Sequence, residues 1–236
     1  MFKKIAFILF ITIAAGVFAQ SSFTERLPDV AGIKPGFEPG AWVHYLVTDA
    51  EGMKTKVKFS VLSAEDCDGE ECYWFEMKTT SSEGEWSIMK FKGVDPRDRE
   101  SVISLIMQRQ GEPARRMDML LPSNRPQPPS AVSGGSKKDA EEPRDQVIKI
   151  EEKAKMEVPA GGFITTKYTI SSGDEKSTAW ISDEVPIMGL VAAESESGEI
   201  ELVAYGEEGA ESEIEGEVQT MDIPSRGRGM KKPAGK

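Results

Sequence analysis

The sequence predicts a mainly β protein, built as a single large curved antiparallel sheet with at most one or two short helices. Roughly ten segments alternate apolar and polar residues with a period of two, which is the pattern of half-buried strands. β-Branched and aromatic residues are frequent in these segments, and short turns rich in Gly, Ser and acidic residues join them. Because one side of each strand is apolar, we expect the sheet to curve around a face that must be covered.

Residues 1–19 are predicted to be a secretory signal peptide. Lys3 and Lys4 precede an apolar run from Ile5 to Ala15, and small residues lead to a cleavage site. The alternative is an uncleaved membrane anchor, but the run is shorter than the ~20 apolar residues of a spanning helix. The mature chain would begin without a cysteine, so no lipid anchor is expected there. We therefore expect export to the periplasm, with secretion into the medium as the alternative.

The acidic composition limits the classes of partner. The chain has 40 acidic and 29 basic residues, and its net charge of −11 becomes −13 when the two signal-peptide lysines are lost. Binding to nucleic acid needs Lys/Arg patches that neutralise phosphates, so neither nucleic acid nor an anionic membrane surface is an expected partner. The length suits one domain, and no second apolar run is long enough to span a bilayer. The mature chain is therefore not expected to be membrane-spanning.

The predicted domain covers residues 37–221 and follows a flexible arm over residues 20–36, which is rich in Pro and Gly. Four alternating segments joined by short turns predict an antiparallel meander. These segments are residues 41–47, 54–62, 73–79 and 86–92. Residues 95–98 have the composition of a helix start, and residues 102–108 alternate as a fifth strand.

The two cysteines, Cys67 and Cys72, are predicted to form a structural disulfide between two of these strands. Export places them in an oxidising compartment, and a four-residue loop would set them directly opposite each other. Closing so small a loop contributes about 2 kcal/mol in the chain-entropy model. A redox-active pair is the alternative, although the spacing is not C-x-x-C.

The second half of the domain contains an interruption and then a set of hairpins. Residues 122–146 are rich in Pro, Gly, Ser and charge, and are predicted to be a disordered insertion between strands. Strand patterning resumes at residues 147–157, and residues 158–206 contain four extended segments around short turns. A last short strand is predicted around residues 212–218. Residues 222–236 predict a basic disordered tail, either a docking element for acidic envelope polymers or a solvated end.

The sequence carries no recognisable catalytic or cofactor motif. His44 is the single histidine, which excludes multi-histidine metal sites and would leave a Ser-His-Asp triad dependent on one strand residue. Neither a G-x-S-x-G motif nor a glycine-rich phosphate loop after a strand occurs. We therefore predict a protein that is not an enzyme, with no catalytic residue, no metal ligand and no cofactor.

Aromatic and methionine side chains are the remaining candidates for function. They could line the hollow of a curved sheet and hold an apolar ligand such as a lipid or acyl chain, or they could simply fill the core. The predicted lining residues are Phe59, Phe75, Met77, Phe91, Trp180 and Met188. Two hypotheses follow: a carrier of an apolar ligand, or an envelope interaction protein whose sheet is a filled scaffold. The predicted partner is accordingly a hydrophobic ligand or an envelope component, and no oligomeric state is predicted.

Three motifs resemble those of a class of uncharacterised exported bacterial proteins. In that class a PAG-x-F turn precedes a W-x-S-x-x-VP-x-x-GLV segment and a terminal L-x-x-[YF]-G. The matching residues here are Pro159, Ala160, Gly161, Phe163, Trp180, Ser182, Val185, Pro186, Gly189, Leu190, Val191, Leu202, Tyr205 and Gly206. More loosely, the chain resembles the periplasmic LolA/LolB lipoprotein carriers, which implies a β half-barrel over residues 37–221. The resemblance brings no catalytic residue, and the chain departs from the carriers in its Pro-rich insertion and basic tail.

Overall fold

The computed structural model describes residues 36–96, 102–118, 146–151, 153–172 and 175–220. The predicted signal peptide lies outside these residues, as do nearly all of the flexible arm, the Pro-rich insertion and the basic tail. The predicted helix start lies partly outside them, because the description of that segment stops at Pro96.

The described ranges contain thirteen strands, which form one sheet, and they contain no helix. The predicted mainly β fold is therefore confirmed. The strands are β1 (Trp42–Asp49), β2 (Lys54–Cys67), β3 (Glu70–Ser81), β4 (Trp86–Gly93), β5 (Ser104–Arg109), β6 (Arg115–Asp118), β7 (Gln146–Ile150), β8 (Ala154–Val158), β9 (Gly161–Ser172), β10 (Glu175–Ile181), β11 (Leu190–Ser195), β12 (Gly198–Gly206) and β13 (Gln219–Thr220).

The sheet consists of two meanders that meet at the first strand. Strands β1 to β6 pair with their sequence neighbours, as do β9 to β12, and β12 then pairs antiparallel with β1. β7 and β8 follow the other edge of β9, opposite residues 168–172 and 161–165 respectively. β13 is the exception, since it pairs parallel with β6 for two residues. A single open curved sheet was the predicted architecture, and the topology confirms it.

Alternation places an apolar face and a polar face on the two sides of the sheet. Direct cross-strand partners share a face, so Val43, Phe59 and Met77 lie together on the apolar face. Lys58 and Lys78 are direct partners on the polar face. The core lies on the apolar face, where Val43 is fully buried.

Three pieces of the chain cover the centre of the apolar face. The tip of the β8–β9 hairpin folds onto β12, where the Ala160 N–H donates to the Leu202 carbonyl oxygen at 3.2 Å. The loop of residues 182–189, between β10 and β11, buries two large aliphatic side chains. Ahead of β1, the ring of Phe37 packs edge-on against Phe75 with 5.2 Å between centroids. The centre of this face is therefore packed by the chain itself.

A C-terminal strap, residues 207–220, crosses the polar face from β12 to β6 and ends in β13. In its middle, the Gln108 side chain accepts from the Glu215 N–H at 2.8 Å and donates to the Glu215 carbonyl oxygen at 2.8 Å. The strand predicted at residues 212–218 is therefore wrong. The backbone there is bonded by side chains of the sheet, and strand pairing begins only in β13.

The disulfide between Cys67 and Cys72 is present, but the hairpin around it is tighter than predicted. A two-residue turn, Asp68–Gly69, joins β2 and β3, with φ angles of 57° and 92° that an Asp-Gly pair adopts readily. Cys67 therefore pairs with Glu70, and the two cysteines are diagonal neighbours whose Cα atoms are 5.9 Å apart. The prediction that they are directly opposite across a four-residue loop is wrong.

Candidate functional site

Four of the six predicted lining residues lie together on the apolar face. Phe59 on β2, Phe75 on β3 and Phe91 on β4 form an aromatic cluster with ring centroids 5.3 to 6.4 Å apart. Met77 is directly opposite Phe59 and borders this cluster. They meet because period-two alternation on neighbouring antiparallel strands brings every second residue to one face.

The other two predicted lining residues lie elsewhere. Trp180 alternates with Ala179 on β10 and belongs to the polar face, where the Lys167 ammonium is 6.0 Å from its ring centroid. Met188 belongs to the loop of residues 182–189 and packs against the edge of the core. The six residues therefore do not surround one cavity, and their ligand-lining role stays a prediction.

The aromatic cluster fills its part of the interior. Phe75 has 0% of its surface exposed, and Phe59 and Phe91 have 7% each. Rings packed this closely leave no space between them for an acyl chain. Two clefts in the described part of the chain lie away from the cluster: one of about 410 Å³ beside the β11–β12 turn, and one of about 610 Å³ beside the loop of residues 182–189. Both are lined in part by carboxylate side chains.

A row of methionines continues from the aromatic cluster across β3, β4 and β5. Met77 is directly opposite Met89, and Met89 is directly opposite Met107. All three are half-buried, unlike the aromatic rings beside them. Sequence analysis identified only Met77 of this methionine row. The alternation of β4 and β5 indicates that Met89 and Met107 lie on the apolar face. That they are direct partners in one row with Met77 follows only from the register of the three strands.

The charged groups of the polar face are engaged with the strap. Glu213 accepts from the Lys58 ammonium at 2.7 Å and from the Lys78 ammonium at 2.6 Å. Burial opposes ionisation of this carboxyl, but the hydrogen bonds from the two lysines outweigh it and hold its pKa below the ordinary value. Glu76 is 3% exposed and accepts from the Ser212 hydroxyl and the Glu213 N–H, each at 2.7 Å. These contacts attach the strap to the sheet.

His44 lies on the same polar face, with its ring 5.0 Å from the Trp42 ring. Its Nε2 is buried and has no hydrogen-bond partner in the part of the chain that the structure describes. Burial, followed by the nearby Lys58 ammonium, lowers the pKa of this imidazole below its ordinary value. The side chain is therefore neutral at pH 7 and packs against an aromatic ring.

Two features are absent from the described ranges. Within them, no three His, Cys, Asp or Glu side chains are grouped so that they could hold a metal ion. The same ranges contain no helix with the length and apolar character needed to cross a membrane.

Fold and site together define a class: a mainly β protein with one open curved sheet and an aromatic interior. No family model matches the chain, and no curated protein matches it significantly. Among solved structures, the chain is similar to a Bacteroides fragilis NCTC 9343 protein that is described as exported and YmcC-like in fold. The two share 11% identity with a TM-score of 0.35, and the match covers 73% of this chain and 97% of that one. It is also similar to a Parabacteroides distasonis ATCC 8503 protein described as a lipoprotein, with 12% identity, a TM-score of 0.34, and coverage of 72% and 98%. Likeness at this level carries no argument about function, and the resemblances drawn from the motifs stay predictions.

Proposed function

We propose that the mature chain is an exported, non-catalytic protein of the bacterial envelope, located in the periplasm, in which the sheet is a filled scaffold for surface contacts. The packing of the aromatic cluster carries this proposal. Phe59, Phe75 and Phe91 are at most 7% exposed, so the chain's own rings occupy the region that a hollow would need. The predicted signal peptide and the disulfide support the exported location.

The use of buried polar groups supports the non-catalytic part of the proposal. The carboxylate of Glu76 and the amide of Gln108 both bind the strap. Buried polar groups are ordinarily satisfied in this way by hydrogen bonds within the fold. Of these two groups only the Glu76 carboxyl could transfer a proton, and it is committed to a hydroxyl and a backbone N–H of the strap.

The basic tail provides the test, because a scaffold acts through what its surface contacts. Deleting residues 224–236 removes five basic side chains. We expect the truncated chain to leave the envelope fraction for the soluble fraction, with its thermal unfolding unchanged. Exchanging Arg226 and Arg228 for lysine retains the charge and is the matched control, which should remain with the envelope. Envelope retention of the truncated chain would contradict the proposal.

A carrier of an apolar ligand is the second candidate, favoured by the half-buried methionine row at the border of the aromatic cluster. Native mass spectrometry of the chain purified from its own envelope should then show the added mass of a lipid. A ligand-free spectrum, together with no uptake of a fluorescent fatty acid, would eliminate this candidate.

A further inference from the structure

The methionine row places three thioether side chains next to one another. Met77, Met89 and Met107 are consecutive direct partners in an unbroken register across β3, β4 and β5. Directly opposed residues in antiparallel strands have Cβ atoms about 4.5–5.5 Å apart, within reach of long side chains. A fourth methionine, Met117 on β6, is diagonal to Met107, whose direct partner is Arg115.

The curvature of the sheet brings side chains on this face together. Strands two apart are separated by about 9.6 Å, twice the usual strand spacing. The rings of Phe59 on β2 and Phe91 on β4 are nevertheless only 6.4 Å apart between centroids. Side chains above β3 therefore lean inward, as they do on the concave side of a sheet. Met77 and Met107 are also two strands apart, and the same curvature at β4 would bring both toward Met89, which lies between them.

The neighbours of the row disfavour hard cations. One flanking row is aromatic and contains the direct partners Phe75 and Phe91. The other flanking row contains Thr79 and Ser87, whose hydroxyls bond to each other at 2.8 Å, and Arg109, the direct partner of Ser87. The positive charge of Arg109 repels a divalent ion more strongly than a monovalent one. The row itself has no carboxylate. Mg²⁺ and Ca²⁺ take oxygen ligands, whereas the soft thioether sulfur of methionine selects Cu(I).

Met77 and Met89 pack against the hydrophobic core, but packing alone does not require methionine at all three positions. Methionine is a flexible filler of irregular gaps in hydrophobic cores, but a filling role needs only apolar volume, which leucine supplies equally well. The three side chains here are half-buried, so solvent reaches them, and they share one register position on three adjacent strands. Thioethers that are aligned and accessible in this way can offer sulfur ligands to a soft ion.

We propose that Met77, Met89 and Met107 form a thioether site for one soft monovalent ion, Cu(I), which Ag(I) can also occupy. The site rests on the register of three strands and is independent of the scaffold function and of the basic tail. Binding displaces no proton, because a thioether carries none. The affinity should therefore be insensitive to pH near neutrality, in contrast to sites built from cysteine or histidine.

Calorimetric titration of the disulfide-intact chain with Ag(I), in chloride-free buffer, tests the site. We expect one ion per chain and an affinity that changes little between about pH 5.5 and 7.5, since no ligand must lose a proton. Met77→Leu, Met89→Leu and Met107→Leu should each weaken binding at least about tenfold, and the triple variant should abolish it. Leucine preserves apolar volume, which keeps the fold intact. Met53→Leu, at a methionine that is 46% exposed, is the matched control and should bind normally.

Two further measurements make the outcome decisive. Under anaerobic conditions, the chain should compete with bathocuproine for Cu(I), and the triple variant should not. In a chain labelled with ¹³C at the methionine methyl groups, Ag(I) should shift the resonances of Met77, Met89 and Met107 and leave that of Met53 in place. Binding that persists in the triple variant, or no binding by the wild-type chain at equimolar ion, would overturn the proposal. If the triple variant fails to unfold cooperatively, the single variants and the methyl resonances decide.

Discussion

Replacing Glu76 by alanine should release the strap from the polar face. The carboxylate of Glu76 is 3% exposed and accepts two hydrogen bonds from the strap, from the Ser212 hydroxyl and the Glu213 N–H, at 2.7 Å each. Hydrogen bonds to charged groups contribute about 1.5–3 kcal/mol each, so two that end on the two oxygens of one carboxylate, and therefore share one charge, should together contribute about 2–4 kcal/mol. We expect the free energy of local strap opening to fall by that amount in Glu76→Ala.

Amide hydrogen exchange followed by NMR measures this opening directly. The Ala210 amide donates to the Gly40 carbonyl oxygen at 2.8 Å, and the Glu215 amide donates to the Gln108 side chain at 2.8 Å. Glu76→Ala leaves both acceptors in place. If the strap opens as one unit, both amides should exchange about 30- to 900-fold faster, the factor that corresponds to about 2–4 kcal/mol.

The matched variants separate the hydrogen bonds from a general loss of charge. Glu76→Gln retains a carbonyl acceptor of the same size and should accelerate exchange less than alanine does. Glu217→Ala removes an exposed carboxylate from the strap and should leave exchange unchanged. Normal exchange at Ala210 and Glu215 in Glu76→Ala, with cooperative unfolding intact, would refute the reasoning, because other contacts would then be sufficient to hold the strap.

Three further predictions concern the carboxylate, the disulfide and one turn. The pKa of Glu213 in the folded chain is lower than its ordinary value of 4.5. Its lysine contacts therefore stabilise the fold fully at pH values above 4.5, and this stability is lost as the pH falls through the folded pKa. Wild type should therefore melt above Glu213→Gln at pH 7, and the gap in melting temperature should narrow as the pH falls below 4.5. An equal gap in acid would exclude the lysine pairing as its cause. Replacing Cys67 and Cys72 by serine should cost about 2 kcal/mol in urea unfolding without faster exchange in the strap, and a larger loss would show that the bridge does more than close one hairpin. A Cβ added at Gly198, where φ is 141°, would meet a backbone carbonyl oxygen of β1 at 2.1 Å. Gly198→Ala should therefore cost about 3 kcal/mol or more in the same assay, well above Gly84→Ala, which also has a positive φ but open space around it.

Local alternation predicted most of the strands because burial of every second residue is a property of one strand at a time, but it did not separate β7 from β8 within residues 147–157. The prediction of residues 86–92 differs from β4 by one residue. That of residues 41–47 differs from β1 by one residue at its start and two at its end. The strap could not be predicted in this way. Its glutamates alternate as they would in a strand, but their partners are side chains such as Gln108, which is 107 residues away in the sequence.

The candidate site was predictable only to the extent that its members share a face within a meander. Phe59, Phe75 and Phe91 occupy equivalent positions on consecutive strands joined by short turns, so their meeting follows from the pattern. Trp180 requires the further choice of which side of β10 faces the core, and period-two patterning leaves that choice open. The tight turn at Asp68–Gly69 had an available signal in the Asp-Gly pair, but the prediction closed the loop at the cysteines instead.

The position of β1 between strands from opposite ends of the domain has a consequence for how the chain is made. β2 follows β1 directly, whereas β12 pairs with its other edge only after residues 198–206 have been synthesised. Until then, a nascent chain that already contains β1 to β6 exposes unpaired backbone groups, which can recruit a strand from another molecule. Contacts so distant along the sequence also form slowly. A ribosome that stalls before residue 198 therefore releases a chain in which one edge of β1 has no partner. Such truncated chains should aggregate through this edge, although half of the sheet is complete.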